Sequence, residues 1–229
     1  MRYAISDIHG CLKTFRQLLE KIHFSSIDEL YLLGDYIDRG PDSKGVIDYI
    51  LELRKTHTVV TLRGNHEDIF LKTLNKEIPI QKWLEAGGNK TLASYAIKPY
   101  EYFYENPFPG IPQEHLIFFK ETLFFYRLDG YWLVHAGLNF EHDDPFADLP
   151  SCLWKRSVEP DPAKLGKNII VRGHTPQQIE KIRATIEKQD ADIISIDAGC
   201  VYTSRPGLGH LAAFNLDEKK IVSIANIDI

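Results

Sequence analysis

The sequence predicts an α/β domain, because short apolar runs alternate with stretches whose apolar residues recur at helical spacing. The first three apolar runs are residues 3–6, 29–33 and 59–62, and each leads into a polar turn and then a helical pattern. Strands and helices in alternation predict a mostly parallel sheet, which binds its ligands beyond the carboxyl ends of the strands. No Pro/Gly/Ser-rich linker divides the 229 residues, so we expect a single domain over residues 1–229.

The composition argues against several classes of protein. With 27 basic and 32 acidic residues the formal net charge is -5, which does not favour a nucleic-acid surface. No apolar stretch is long enough for a signal peptide or a membrane span. Cys11, Cys152 and Cys200 are odd in number and far apart, which argues against a disulfide framework or a zinc knuckle. We therefore expect a cytoplasmic protein without a nucleic-acid or membrane partner, and the oligomeric state stays open.

The first polar turn is Asp7-Ile8-His9-Gly10. If the extended geometry of the strand continues, the side chains of Asp7 and His9 point the same way and can chelate one ion. The alternative is that Asp7 caps the helix that follows.

The second polar turn reads Gly34-Asp35-Tyr36-Ile37-Asp38-Arg39-Gly40-Pro41. A metal ion prefers the carboxylate of Asp35, a phosphate prefers the guanidinium of Arg39, and the flanking glycines permit a tight turn beneath both. A capped, salt-bridged loop is the alternative. A helix with Ser43 as its N-cap is predicted to follow.

The third polar turn, Arg63-Gly64-Asn65-His66-Glu67, follows the run at residues 59–62. The carboxyl ends of parallel strands meet at one edge of a sheet, so the three polar turns are predicted to share a rim.

A helical and aromatic excursion is predicted at about residues 76–129. Short helices are expected between Trp83 and Tyr95, and a further helix over residues 114–126. Residues 98–112 hold four prolines and several aromatic residues, which exclude a regular helix. This aromatic loop is either a lid over the substrate or a segment that packs onto the body.

Two further strand ends carry histidine. Residues 131–134 lead into His135, and residues 169–171 lead into His174. A lone histidine of this kind is more often a core residue, but two more at strand ends, beside three polar turns, favour a site. Arg156 lies beside Trp154, either as a substrate ligand or as a surface arginine stacked on the tryptophan. A strand at residues 192–196 and a hairpin of residues 210–216 and 221–227 complete the chain.

The polar residues at these strand ends form a set of oxygen and imidazole ligands without thiolate, which suits manganese, iron or zinc. The set is Asp7, His9, Asp35, Asn65, His135 and His174. Two ions roughly 3.5–4 Å apart would use all six ligands and generate hydroxide for in-line attack on phosphorus. Phosphate ester hydrolysis is the reaction implied.

Such a reaction also needs charge stabilisation and an acid. Arg39 and Arg63 flank the ligands, and Arg156 is a third candidate for binding the phosphoryl oxygens. His66 is positioned to protonate the leaving group, and Asp38 could orient its imidazole.

The ordered set of motifs resembles the calcineurin-like metallophosphoesterases, and more narrowly the serine/threonine phosphatases of the phosphoprotein phosphatase family in their short bacterial and bacteriophage-lambda-like form. The motifs are Asp7-x-His9-Gly10, Gly34-Asp35-x-x-Asp38-Arg39-Gly40, Arg63-Gly64-Asn65-His66-Glu67, His135-Ala136-Gly137 and Gly173-His174. The resemblance implies a β-sandwich of two mixed sheets flanked by helices, with the active site at the carboxyl ends of strands.

The resemblance also implies roles for individual residues. Asp7, His9 and Asp35 would hold one metal ion, and Asp35, Asn65, His135 and His174 the other, so that Asp35 bridges. Manganese is the expected metal, with iron or zinc as alternatives. His66 with Asp38 would form the acid pair, Arg39 and Arg63 the phosphate clamp, and Arg156 a third arginine.

The implied activity is that of a metal-dependent phosphatase acting on phosphoserine or phosphothreonine in proteins or peptides, with phosphotyrosine left open, by attack of a hydroxide that bridges the two metals. Residues 83–95 and 196–200 also resemble the symmetric diadenosine tetraphosphate hydrolases. If this protein has that activity, its aromatic residues from Tyr95 to Phe108 would stack on adenine. Those enzymes usually lack an acid at the place of Asp38, so the sequence favours a protein phosphatase. A non-catalytic metal-binding scaffold is the third alternative.

Overall fold

The strands of the computed structural model, which describes residues 1–98, 110–188 and 190–229, form two mixed sheets. Their bounds are β1 Arg2–Ile5, β2 Glu29–Leu32, β3 Thr58–Thr61, β4 Phe125–Leu128, β5 Tyr131–Val134, β6 Ile169–Arg172, β7 Ile193–Ser195, β8 His210–Asn215 and β9 Lys220–Ala225. One sheet has the strand order β3-β2-β1-β8-β9 and the other β4-β5-β6-β7.

Helices connect and flank the sheets. Their bounds are α1 Leu12–Lys21, α2 Ser43–Leu53, α3 Asn65–Leu74, α4 Ile80–Trp83, a π-helical turn Leu84–Gly88, α5 Asn89–Ser94, α6 Gln113–Glu121, α7 Leu149–Trp154, α8 Pro162–Leu165 and α9 Ile179–Glu187. In the part of the chain that the structure describes, no helix combines the length and apolar character needed to cross a membrane.

The two-sheet architecture expected from the family resemblance is confirmed. The prediction from the pattern alone, of one mostly parallel sheet, accounts for only part of the fold. Strands β1, β2 and β3 are parallel, but β8 runs antiparallel to β1 and pairs with β9 as a hairpin. In the second sheet β5, β6 and β7 are parallel, and β4 is antiparallel to β5. Apolar runs show that a strand exists but not which sheet it joins.

Alternate side chains of β1 build two different parts of the core. Ile5 packs in the cluster that joins the first sheet to α1, α2 and α6. Ala4 faces the other way, into a cluster shared with Leu133 and Val171 of the second sheet. This period of two is the geometry of a strand that is buried on both faces.

Two boundary predictions are wrong. The helix expected over residues 114–126 ends at Glu121, and β4 begins at Phe125. Thr122 has extended backbone, and its hydroxyl donates to the carbonyl of Phe119 at 2.6 Å, which ends the helix. Asp42, rather than Ser43, caps α2 by accepting the N–H of Gly45 at 2.8 Å. Most of the aromatic loop, including Tyr100, Tyr102, Phe103, Tyr104 and Phe108, lies outside the described residues.

Candidate active site and metal centre

The polar turns after β1 and β2 run side by side at the carboxyl ends of these parallel strands. The N–H of Asp7 donates to the carbonyl of Gly34 at 3.2 Å, and the N–H of His9 donates to the carbonyl of Asp35 at 2.9 Å. These bonds extend the pairing of the two strands into the loops. They bring the side chains of the first two motifs to one place, as the parallel arrangement predicts.

Left-handed backbone marks the same turns. Among the described residues, ten other than glycine have positive φ, and six of them are predicted site residues: Asp7, His9, Asp35, Asp38, Arg39 and His174. A side chain makes this conformation costly, by about 1–2 kcal/mol. Strain that collects on one group of polar residues is typical of a functional site.

The carboxylate of Asp35 lies between two groups of ligands. Its Oδ2 is 3.5 Å from Nε2 of His9, and its Oδ1 is 3.5 Å from Nε2 of His135. Each carboxylate oxygen therefore faces a different histidine. A carboxylate in this position could act as a ligand toward both groups.

In the second group of ligands, ring nitrogens of two histidines converge on the side-chain oxygen of one asparagine. Nδ1 of His135 donates to the carbonyl of Leu33 at 2.8 Å, so Nε2 of the neutral ring is an acceptor. That Nε2 lies 3.0 Å from Oδ1 of Asn65, which also contacts Nδ1 of His174 at 2.9 Å. The other ring nitrogen of His174, Nε2, is buried and has no hydrogen-bond partner among the described residues. A cation would satisfy this buried nitrogen and the oxygen of Asn65 together.

His9 shows the same tautomer. Its Nδ1 donates to the carbonyl of Ile37 at 2.8 Å, which leaves Nε2 as an acceptor. Nη1 of Arg39 lies 3.0 Å from this Nε2. The guanidinium of Arg39 thus reaches the ligand cluster itself.

The electrostatics of the site also suit a cation. Burial, followed by the charges of Asp7 and Glu67, raises the pKa of Asp35 well above its usual range. Burial and neighbouring His66 lower the pKa of His9 well below its usual range, and burial with His135 lowers the pKa of His174 to about 3. The imidazoles are therefore neutral, as metal ligation requires, and the crowded carboxylates are stabilised by added positive charge.

The residues present fit a metal centre. Donor atoms of Asp35, His135 and His174 lie within 4.8 Å of one another. On the other side of Asp35, donor atoms of His9 and Asp35 are equally close, and so is a ring nitrogen of the proposed acid His66. Asp7 is 4 % exposed and accepts the N–H of His174 at 3.0 Å, so it belongs to the same cluster. The division of the six ligands between two ions stays a prediction.

His66 and Asp38 form a buried pair beside this cluster. Nδ1 of His66 lies 2.7 Å from Oδ2 of Asp38, and both side chains are at most 1 % exposed. Nε2 of His66, on the other side of the ring, lies 3.9 Å from Oδ2 of Asp35. The imidazole is thus oriented by one carboxylate and directed at the ligand cluster, as a group that transfers protons must be. Burial, followed by the charge of Arg39, lowers the pKa of His66 well below its usual range, so the ring gives up a proton readily once it is protonated.

The three predicted arginines lie in different surroundings. Arg39 points into the cluster, whereas Arg63 donates to the hydroxyl of Thr122 and to the carbonyl of Lys120, both at 3.0 Å, and so covers the carboxyl end of α6. Arg156 is exposed, and its charge contributes to the low pKa of His174. Buried Arg172 donates to the carbonyl of Arg156 at 2.8 Å and fixes the backbone there.

Two buried acids of the site were not predicted from the sequence. Glu67 accepts the N–H groups of Asp35 and Tyr36, both at 2.8 Å, and that of Gly64 at 2.9 Å. Its place three residues after the N-cap Gly64 was a signal, because an acid there can accept the N–H of the N-cap residue. Asp197 is 2 % exposed, and burial and the charge of Asp7 raise its pKa, so it also faces the cluster.

Comparison with known proteins gives the same family for most of the chain. The family model for calcineurin-like phosphoesterases matches residues 3–201. A symmetrical bis(5'-nucleosyl)-tetraphosphatase from Cellvibrio japonicus is 34% identical over 143 residues, which are 59% of this chain and 44% of that protein. The match thus covers less than half the length of the curated relative.

Solved structures share the fold at low sequence identity. A putative diadenosine tetraphosphatase superposes with a TM-score of 0.65 at 19% identity and covers 100% of this chain and 94% of its own. A protein serine/threonine phosphatase from Saccharomyces cerevisiae gives a TM-score of 0.58 at 15% identity, over 100% of this chain and 80% of its own. With the ligand cluster placed at the strand ends and the family model covering β1 to β7, the chain belongs to the calcineurin-like phosphoesterase family.

Proposed function

We propose that this protein hydrolyses dinucleoside tetraphosphates symmetrically. The observation that carries the proposal is the similarity to curated symmetrical bis(5'-nucleosyl)-tetraphosphatases, of which the Cellvibrio protein is 34% identical over 143 residues. Asp38 favours a phosphoprotein phosphatase when the sequence is taken alone, whereas the relatives favour the alternative.

Each side chain of the site would have its own role in this reaction. Asp7, His9, Asp35, Asn65, His135 and His174 would hold two divalent ions, for which we propose manganese. Bound ions of this kind supply Lewis acidity toward phosphoryl oxygens and lower the pKa of water. Arg39 would bind the phosphate oxygens, and His66, oriented by Asp38, would give a proton to the departing oxygen.

An exposed aromatic side chain lies beside the cluster and suits a nucleobase. Trp154 is 46 % exposed, and its ring centroid is 6.3 Å from that of His174. A base stacked on an aromatic ring gains about 1–3 kcal/mol. Tyr95, in contrast, is buried and bonds to His115 at 2.7 Å, so the stacking role expected for it is not available.

A second function, hydrolysis of phosphoserine or phosphothreonine, is favoured by the pair of His66 and Asp38. The alkoxide that leaves a phosphomonoester needs a proton, whereas a departing nucleoside diphosphate is already a stable anion. A dedicated acid is therefore worth more to a protein phosphatase.

The test is turnover of diadenosine tetraphosphate and of a phosphothreonine peptide, at equal concentrations with added manganese, with the nucleotide products separated by chromatography. We expect faster turnover of the dinucleotide, with ADP as its product. Preference for the peptide, or release of AMP with ATP, would contradict the proposal. Turnover of neither substrate by protein with bound metal would support the scaffold alternative.

A further inference from the structure

The segment of residues 83–91, which links α4 to α5 through the π-helical turn, lies against the acid loop at Asp38 and Arg39. Its sequence is Trp-Leu-Glu-Ala-Gly-Gly-Asn-Lys-Thr. None of these residues belongs to the metal ligands, the acid pair or the arginines of the proposed mechanism. Their contacts nevertheless converge on that pair.

Trp83 and Thr91 enclose the carboxylate of Asp38. Nε1 of Trp83 donates to both oxygens of Asp38, at 3.1 and 3.0 Å. The hydroxyl of Thr91 donates to Oδ1 at 2.6 Å and accepts the backbone N–H of Asp38 at 2.9 Å. Both side chains are at most 1 % exposed, and Asp38 is fully buried. With Nδ1 of His66 on Oδ2, the carboxylate is held from several directions and its plane is fixed.

The two glycines of the segment allow this approach. Gly87 has φ 111°, and its carbonyl accepts the N–H of Arg39 at 3.3 Å. A Cβ at Gly87 would lie 2.9 Å from the backbone nitrogen of Arg39, and a Cβ at Gly88 would lie 2.5 Å from the ring of Trp83. Only glycine therefore fits where the segment crosses the loop and where the indole packs beneath it.

We propose that Trp83 and Thr91 are positioning residues for the acid step, which fix the carboxylate of Asp38 so that it orients the imidazole of His66 toward the departing oxygen. The proposal rests on the hydrolase activity of the site but not on which phosphate compound is its substrate. Removal of the hydroxyl of Thr91 takes from Oδ1 of Asp38 its shorter hydrogen bond and leaves only the one from Trp83 at 3.1 Å. The N–H of Asp38 keeps Oγ of Ser43 as an acceptor at 3.1 Å, so we expect the carboxylate to turn while the backbone stays in place, and the imidazole to follow.

This geometry also links two features that pointed to different enzymes. Residues 83–95, which include this segment, resemble the diadenosine tetraphosphate hydrolases, whereas the acid at position 38 favours a protein phosphatase. In this chain the indole of Trp83 and the hydroxyl of Thr91 contact the carboxylate of Asp38. The pair of His66 and Asp38 and the two side chains that bond to Asp38 therefore form one hydrogen-bonded group.

The variants Thr91→Val, Thr91→Ser and Trp83→Phe of the metal-loaded full chain test the proposal. Two phosphomonoesters serve as substrates, phenyl phosphate with a poor leaving group and p-nitrophenyl phosphate with a good one. Thr91→Val keeps the shape of the side chain without its hydroxyl, and Thr91→Ser restores the hydroxyl. Thr73→Val is the matched control, because Thr73 is also buried but its hydroxyl bonds to the carbonyl of Ile69 within α3.

We expect Thr91→Val and Trp83→Phe to lower kcat about 10- to 100-fold on phenyl phosphate and much less on p-nitrophenyl phosphate, with unchanged KM and metal content. Thr91→Ser should recover most of the rate, and Thr73→Val should lose none. Equal losses on both substrates, or no recovery with serine, would overturn the proposal.

A second readout does not depend on turnover. The proton on Nδ1 of His66, identified in the NMR spectrum by its loss in His66→Asn, should shift in Thr91→Val and return in Thr91→Ser. If this proton keeps its shift in Thr91→Val, Thr91 does not position the pair. If the Thr91 variants show the expected shifts but the wild-type protein hydrolyses no phosphate compound, the proposed function fails and the positioning of the pair by Thr91 stands.

Discussion

The carboxylate of Glu67 accepts the backbone N–H of Asp35 at 2.8 Å, so one buried acid fixes the loop that carries another. The same carboxylate accepts the N–H groups of Tyr36 and Gly64 and thereby ties the loop after β2 to the start of α3. Asp35 and Asn65 are placed relative to each other by this acid, which itself has no proposed contact with a metal ion or a substrate.

The substitution Glu67→Gln should destabilise the chelator-treated protein in a pH-dependent manner. Burial raises the pKa of Glu67 from 4.5 to about 7. Because the folded protein holds this proton more tightly than the unfolded chain does, the protonated carboxyl group favours the folded state. Its contribution to stability is fully present below pH 4.5 and is lost as the pH rises through about 7. Glutamine does not titrate, so the loss of unfolding free energy caused by Glu67→Gln should be larger at pH 5 than at pH 8, by up to about 3 kcal/mol.

Urea unfolding at the two pH values measures this difference. The control is Glu52→Gln, which makes the same substitution at an exposed position on α2, outside the site. A loss that is the same at both pH values for Glu67→Gln would show that this carboxyl does not titrate as described.

The substitution His66→Asn should retain the bound metal and lose about 10²- to 10⁴-fold in turnover. The imidazole of His66 is bonded to Asp38 and lies 3.9 Å from Asp35, so its proposed role is proton transfer and not ligation. The loss should be greater for phenyl phosphate than for p-nitrophenyl phosphate, because nitrophenolate leaves without an acid. Equal losses on the two esters would count against the acid role.

Arg39→Ala and Arg63→Ala should have different effects. Arg39 reaches Nε2 of His9, and its removal should raise KM and weaken inhibition by inorganic phosphate about tenfold or more. Arg63 is bonded to Thr122 and Lys120, so its removal should mainly lower the melting temperature. If Arg63→Ala raises KM as much as Arg39→Ala does, the phosphate clamp expected from the sequence includes both arginines.

Much of the site is predictable from the sequence because each ligand stands at or near the end of an apolar run. Parallel strands place such positions at one edge of a sheet, and this rule alone predicts that Asp7, Asp35 and Asn65 lie together. The lone histidines His135 and His174 are weaker signals, since a histidine after a strand is usually part of the core. Only their number and order make the set specific.

Other features depend on tertiary contacts that spacing does not reveal. Arg63 lies within the same motif as Asn65, yet its guanidinium turns toward α6, a helix that begins about fifty residues later in the chain. The contacts of Trp83 and Thr91 with Asp38 likewise join residues that are 45 and 53 positions apart. Such contacts are set by the packing of helices around the first sheet, and local pattern carries no information about them.

The most direct test of a shared metal ligand is the number of metal ions bound by wild-type protein and by Asp35→Asn, measured by elemental analysis after dialysis against manganese, together with turnover. Asp35 lies between His9 and His135, with one carboxylate oxygen toward each. We predict two ions per chain in the wild type, at most one in Asp35→Asn, and loss of at least about 10³-fold in turnover. Two ions and full activity in Asp35→Asn would contradict a centre in which Asp35 is shared by both metals.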